Sequence, residues 1–322
     1  MSSVGKPVGP KPIATATSPR PTSSRWIECD ARTLQEKFDR TPFALRHRIV
    51  DEPLFNMDGL TNLARFLESR PGEVYVDVGV SHVGQRWDQA ARPILGVAEL
   101  IHELAETDAW IILRKPELDP AYRLLLDQCL SELRELMGGD WGRPTRRDNS
   151  IIFITSPRRL STYHIDRECN FILQISGEKT LFVFDQNDRD VLPEKELERF
   201  WAVDHNAARY RPEYQDRAKV FRLRPGDGVH VPVNAPHWVQ NDDNVSVTLS
   251  VNFQFSDADR ASQYRANHYL RKLGINPSPP GKYPWRDRLK ASTLSGAGRL
   301  WKLVRRLDDD RQPVRKPSRS HP

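Results

Sequence analysis

The chain has 322 residues, 38% of them hydrophobic, a formal net charge of +6 and a mean hydropathy of −0.64. That length holds one large domain or two small ones. No apolar run approaches a membrane span and no apolar leader core follows the N-terminus, so neither a membrane partner nor secretion is expected.

Three cysteines, Cys29, Cys129 and Cys169, are too few and too scattered for a disulfide framework. A reducing, cytoplasmic setting is expected. The positive charge is not spread evenly. Residues 1–25 hold Lys6, Lys11, Arg20 and Arg25 with no acid, and residues 281–322 hold twelve Lys or Arg against four Asp. Residues 26–280 are therefore net acidic. Basic ends of this kind are expected to be solvated tails able to make weak nucleic-acid contact.

Residues 1–25, rich in Pro, Ser and Thr, read as a disordered basic tail. Residues 26–148 read as an N-terminal α/β region. Helical apolar spacing covers 60–67 and 97–104, and strand-like runs cover 74–78 and 109–113. A helix over 121–137 starts at Asp119-Pro120 and stops at Gly138-Gly139. From 149 to 275 short strands dominate, at 150–155, 171–175, 180–184, 220–223, 228–231 and 245–255. A helix-like insert (194–201) interrupts them and a helix near 257–273 closes the domain. Closely spaced strands with turn signals predict a sandwich or barrel. Residues 276–322 read as a Pro-rich linker and basic tail, with a short amphipathic patch at 300–307.

The most informative residues are His164-Ile165-Asp166, with His237 in the run from Pro225 to His237. In a strand, alternate side chains share a face, so this spacing presents an imidazole beside a carboxylate. An imidazole from a neighbouring strand would complete one face of an octahedral metal. Two His and one carboxylate with open positions opposite is a non-heme Fe(II) arrangement. His230 is a rival third ligand, although its place between Val229 and Val231 favours pocket lining or packing. Cys169 has the opposite parity to Asp166 and should face away from the metal.

Gly226, Pro232, His237 and Asn241 stand at the spacing of the second cupin motif, with Asn234 in place of its usual Gly. Asn tolerates left-handed backbone better than most residues. His164, Asp166, Asn170 and Gly177 match the first cupin motif, where Asp166 replaces a His and Asn170 a Glu. The stretch from His164 through Gln174 and Gly177 to Lys179 resembles the JmjC and cupin-like 8 branch of Fe(II)/2-oxoglutarate-dependent oxygenases. It is particularly similar to the asparaginyl hydroxylases acting on hypoxia-inducible factor. The resemblance spans about residues 150–256. It implies a mostly β fold, a double-stranded β-helix (a jelly-roll or cupin barrel), flanked by the N-terminal helices and a C-terminal helix.

The resemblance also implies the site. His164, Asp166 and His237 are the iron ligands and catalytic centre. Lys179 is the cation for the distal carboxylate of 2-oxoglutarate. Ser161 is the matching hydroxyl, with Thr162 the alternative if the register slips by one. Asn170 and Asn252 are the flanking amides, and Gln174 lines the pocket. The family has a further upstream tyrosine, for which Tyr75, Tyr163 and Trp110 all stand in suitable regions. The implied reaction uses Fe(II), 2-oxoglutarate and O2, gives succinate and an Fe(IV)-oxo species, and hydroxylates a protein side chain or a small molecule. The alternative is an inactive metal-binding cupin serving as a ligand sensor or transcriptional regulator. No helix-turn-helix pattern supports DNA reading.

Overall fold

A computed structural model describes residues 25–79, 82–87, 96–139, 141, 145–255, 258–283 and 285–287. The amphipathic patch at 300–307, and nearly all of the two basic tails, lie outside these residues. Among the described residues, twelve strands form two antiparallel sheets. The larger has the order β1 (Ile27–Glu28), β2 (Phe43–His47), β10 (Asp227–Val231), β7 (Cys169–Ser176), β12 (Ser246–Phe255), β5 (Thr145–Thr155), β4 (Ala109–Arg114) and β3 (Val74–Val78). The smaller has the order β6 (Leu160–His164), β11 (His237–Asn241), β8 (Lys179–Val183) and β9 (Lys219–Leu223). This is a cupin fold with flanking helices. The sequence-predicted strands sit where expected, and β6 and β11 complete the smaller sheet. Strands β1 to β4, all within residues 26–148, hydrogen-bond into the same sheet as β5, β7, β10 and β12.

Six α-helices accompany the sheets among the described residues: α1 (Ala31–Lys37), α2 (Met57–Glu68), α3 (Val97–His102), α4 (Pro120–Leu136), α5 (Glu194–Ala202) and α6 (Ala258–Lys272). The start of α4 follows the expected chemistry. Pro120 takes the first turn, where its missing N–H costs nothing, and the Asp119 carboxylate accepts from Ala121 N at 2.8 Å.

Side-chain parity decides which face does what. On one face of the larger sheet, Ile111, Leu113, Ile152, Ile154, Phe171, Leu173, Leu249, Val251 and Phe253 pack with Leu34, Leu60, Leu63, Leu100, Leu125 and Leu133 of the helices. The opposite parity (Trp110, Ile112, Phe153, Thr155, Asn170, Ile172, Thr248, Ser250, Asn252) faces a cavity between the sheets. Cys169 belongs to the helix-packed core, away from that cavity.

Two backbone positions fix turns beside the site. Gly177 closes the β7–β8 turn at φ 75°, where a Cβ would strike Asn244 Oδ1 and Val245 O, so only Gly fits. Asn234, standing where the motif usually has Gly, adopts φ 61°. Its Oδ1 accepts from Trp201 Nε1 at 3.0 Å, a bond that glycine could not make.

Candidate metal centre

The cavity encloses about 210 Å³. His164 ends β6 and His237 begins β11, and the two are paired across the strands. Their ring centroids are 4.2 Å apart. Asp166 lies two residues past the end of β6, not within it. The expectation that one strand presents both residues is therefore corrected. The strand ends at His164, and the loop carrying Asp166 is tied down because Asp166 O accepts from Asn234 N at 3.0 Å. The left-handed turn at Asn234 thus helps to aim the carboxylate.

One ligand atom from each of His164, Asp166 and His237 lies within 4.8 Å of the others. Asp166 Oδ2 is 3.6 Å from His237 Nε2, and Asp166 Oδ1 is 4.0 Å from His164 Nε2. The other ring nitrogen of each His is occupied by the backbone. His164 Nδ1 lies 2.6 Å from Thr162 O and His237 Nδ1 lies 2.9 Å from Ala235 O. A carbonyl only accepts, so each Nδ1 carries a proton, which in a neutral ring leaves Nε2 as the atom with a lone pair. Burial, reinforced by the neighbouring His164 ring, pushes the His237 pKa down to about 4. It is therefore neutral at physiological pH, as a metal ligand must be. Asn170 Nδ2 donates to Asp166 Oδ2 at 2.9 Å and orients it. Two imidazoles, one carboxylate and an open cavity fit a divalent first-row metal.

The remaining sequence-predicted residues converge on the same cavity: Ser161, Asn170, Lys179 and Asn252 all line it. Thr162 lines it too. The β6–β11 register shifts between His237 and Val239, so β6 spends one more residue than its partner. A bulge of this kind turns two successive side chains to one region, so Ser161 and Thr162 are both present. Asn170 and Asn252 are cross-strand partners. Asn252 Oδ1 accepts from Ser250 Oγ at 2.7 Å, while Asn170 Oδ1 is buried with no hydrogen-bond partner.

Lys179 lies four residues along β11 from His237, paired with Asn241. That is roughly 13 Å of strand. Its ammonium is buried, donates to Thr248 Oγ1, and has its pKa pulled down to about 7 by desolvation. Thr248 Oγ1 in turn donates to Gln174 Oε1 at 2.9 Å, and Gln174 Nε2 donates to Ser246 Oγ at 2.9 Å and to Gly177 O at 3.0 Å. Gln174 is thus a strut behind the cavity wall. Asn241 Nδ2 donates to Thr155 Oγ1 at 2.7 Å and stitches the two sheets together there.

Among the upstream aromatics, Tyr75 and Trp110 line the cavity. Tyr163 instead packs with Phe184 and Val191. His230 lies outside this cluster. It is buried among Phe38, Phe43 and Phe171, with centroids 4.8–5.1 Å away. It accepts from Asp39 N at 2.9 Å, and burial lowers its pKa to about 3. Sequence reasoning missed Thr248, Thr155, Arg114, Glu168 and Trp87 in the lining. A signal existed for Thr248: it shares its parity along the strand with Ser250 and Asn252.

The same strands carry a family match. Residues 111–259 match the family model described as a cupin-like domain.

No curated protein matches the sequence. Solved structures similar to it include those of YcfD from Escherichia coli, a ribosomal oxygenase. One is 19% identical over 89% of this chain and 69% of its own, with a TM-score of 0.50. A second, in complex with cobalt and 2-oxoglutarate, is 19% identical over 81% of this chain and 62% of its own, with a TM-score of 0.49. A third is 19% identical over 80% and 61%, at 0.47. The chain therefore spans about three fifths of the length of two of these relatives. At this identity the likeness shows the fold alone. Among the described residues, no helix is long and apolar enough to cross a membrane.

Proposed function

We propose that this protein is an Fe(II)- and 2-oxoglutarate-dependent oxygenase, acting as a hydroxylase. The observation that carries the reading is one cavity with a His-Asp-His cluster towards one end and a buried lysine towards the other. A buried cation without a carboxylate partner is costly unless its site receives an anion. A short dicarboxylate spanning from Lys179 to the triad satisfies both ends at once. The sequence resemblance to the JmjC and cupin-like 8 hydroxylases points the same way.

In this reading His164, Asp166 and His237 hold Fe(II) through two Nε2 atoms and one carboxylate oxygen. Asn170 keeps Asp166 in position. Lys179 binds the distal carboxylate of 2-oxoglutarate with help from Ser161 or Thr162 and from Thr248. Asn170 and Asn252 flank the proximal end. Trp110 takes the place of the family's upstream tyrosine. Its Nε1–H is buried with no partner, whereas the Tyr75 hydroxyl already donates to Trp87 O at 3.2 Å. When bound, the metal and co-substrate supply the oxidative chemistry: O2 is consumed, 2-oxoglutarate becomes succinate and CO2, and the substrate gains a hydroxyl. The chain's own part is to orient both ligands and exclude water with Tyr75, Trp87 and Phe153. The substrate is a protein side chain or a small molecule.

The test is anaerobic titration of the Fe(II) protein with 2-oxoglutarate, followed by admission of O2. The expected result is the metal-to-ligand charge-transfer band of a bidentate keto acid, then succinate. Metal binding without that band or succinate would instead support a sensor.

A further inference from the structure

A second feature lies at the C-terminal end of α6, outside the cavity. Among the described residues, four of the nine exposed large hydrophobic residues fall within 13 residues: Leu273, Ile275, Tyr283 and Trp285. Trp285 is 64% exposed. The segment that displays them is held rather than loose. Asn267 Nδ2 donates to Ser278 O at 3.0 Å, and Asp287, itself buried, accepts from Gly281 N at 2.7 Å. The rings are therefore presented outward on an anchored loop.

The exposed charges around them are basic, and the one acid of the loop, Asp287, is buried beneath it. Arg286 lies over both the Tyr283 ring, at 4.8 Å, and the Trp285 ring, at 5.1 Å, and Lys282 sits 5.7 Å from Tyr283. Lys272 lies over Tyr269. From Arg271 to Arg286 the sequence contains no acid, and residues 288–322 add ten Lys or Arg against three Asp. Exposed rings bracketed by cations match a polyanion whose units carry flat aromatic faces. A base can stack on a ring while its phosphates meet the guanidinium and ammonium groups. A lipid surface would need a continuous apolar face. Between Ile275 and Tyr283 this loop offers Asn, Pro, Ser and Gly instead.

We propose that Tyr283 and Trp285, with Lys282 and Arg286, form a stacking platform for single-stranded nucleic acid. Duplexes bind less well, because their bases are already stacked and only the phosphates remain to be met. This surface is separate from the cavity, so its occupancy does not depend on the oxygenase reading.

The experiment uses the full chain and a fluorescein-labelled oligouridylate of about 20 nucleotides, followed by anisotropy. Competitors are the matching duplex and vesicles of phosphatidylcholine with phosphatidylserine. The expected result is salt-sensitive binding of the single strand, quenching of tryptophan fluorescence, and roughly tenfold or greater weakening in Tyr283→Ala/Trp285→Ala. Both residues are exposed, and circular dichroism confirms that the variant folds. Equal binding by the double variant would overturn the proposal and leave only nonspecific attraction to basic residues. Absence of wild-type binding would also overturn it. So would tighter binding of the duplex, or of the vesicles, than of the single strand.

Discussion

Replacing Lys179 with methionine sets two effects against each other. The ammonium is buried beside Thr248 Oγ1, and desolvation pulls its pKa from 10.5 to about 7. Between those values the unfolded chain holds a proton that the folded chain has lost. Stability therefore rises with pH across that window, and below about pH 7 the folded state carries the desolvation cost in full. That cost is on the order of several kcal/mol. Lys179→Met removes it and should melt at a higher temperature than wild type, with a larger margin near pH 6.5 than near pH 9. Co-substrate binding should move the other way. A lost charged hydrogen bond is worth about 1.5–3 kcal/mol, or roughly a 10- to 150-fold weaker Kd. A dicarboxylate also draws a proton back onto a neutral lysine. Wild-type affinity should then fall by up to about tenfold per pH unit above pH 7, with net proton uptake on binding. Calorimetry of 2-oxoglutarate binding to the Mn(II)-loaded protein, in two buffers of different ionisation enthalpy, measures both quantities. Scanning fluorimetry measures the stability. Undiminished affinity in Lys179→Met, or wild-type binding without proton uptake between about pH 7 and 8.5, would remove the lysine from the co-substrate site. A less stable methionine variant would refute the burial argument.

Asp166→Ala removes the only carboxylate of the triad and should abolish succinate formation, while the two imidazoles retain weak divalent-metal binding. His230→Ala should keep the metal affinity but lose about 2–4 kcal/mol of stability in denaturant titrations, because it opens a cavity among Phe38, Phe43 and Phe171 and strands the Asp39 N–H. Loss of metal from His230→Ala at full stability would reverse that assignment. Trp110→Phe should weaken 2-oxoglutarate binding by about 1 kcal/mol, the worth of one hydrogen bond, with little change in melting temperature; an unchanged Kd leaves Tyr75 as the better choice. Gly177→Ala forces a Cβ against Asn244 and Val245 at positive φ, and its melting temperature should fall by several degrees through at least about 1–2 kcal/mol of strain.

The residues of the candidate site were legible from sequence because their chemistry is rare in their surroundings. An imidazole and a carboxylate two residues apart carry their meaning in spacing, while His237 and Lys179 took theirs from the match to the family's motifs. Local backbone physics reaches that far: Gly177 and Asn234 both take the left-handed conformations their residue types allow. Register and facing were not legible. Strands β4, β5, β7 and β12 are buried on both faces, so their apolar runs hide the alternation that would mark the cavity side. Only the paired sheet shows that Thr248 and Thr155 face inward while His230 faces Phe38. The bulge opposite Val239 brings Ser161 and Thr162 into the cavity together, and it exists only once β6 meets β11. Tyr75, Tyr163 and Trp110 were equivalent by spacing. Tertiary packing sends Tyr163 to a different cluster, and it leaves the Trp110 N–H without a partner in the cavity wall. Sequence determined the chemical inventory because side-chain type and local turns are properties of neighbours along the chain. Tertiary structure decided which inventory members meet, because strand pairing joins residues that lie far apart in sequence.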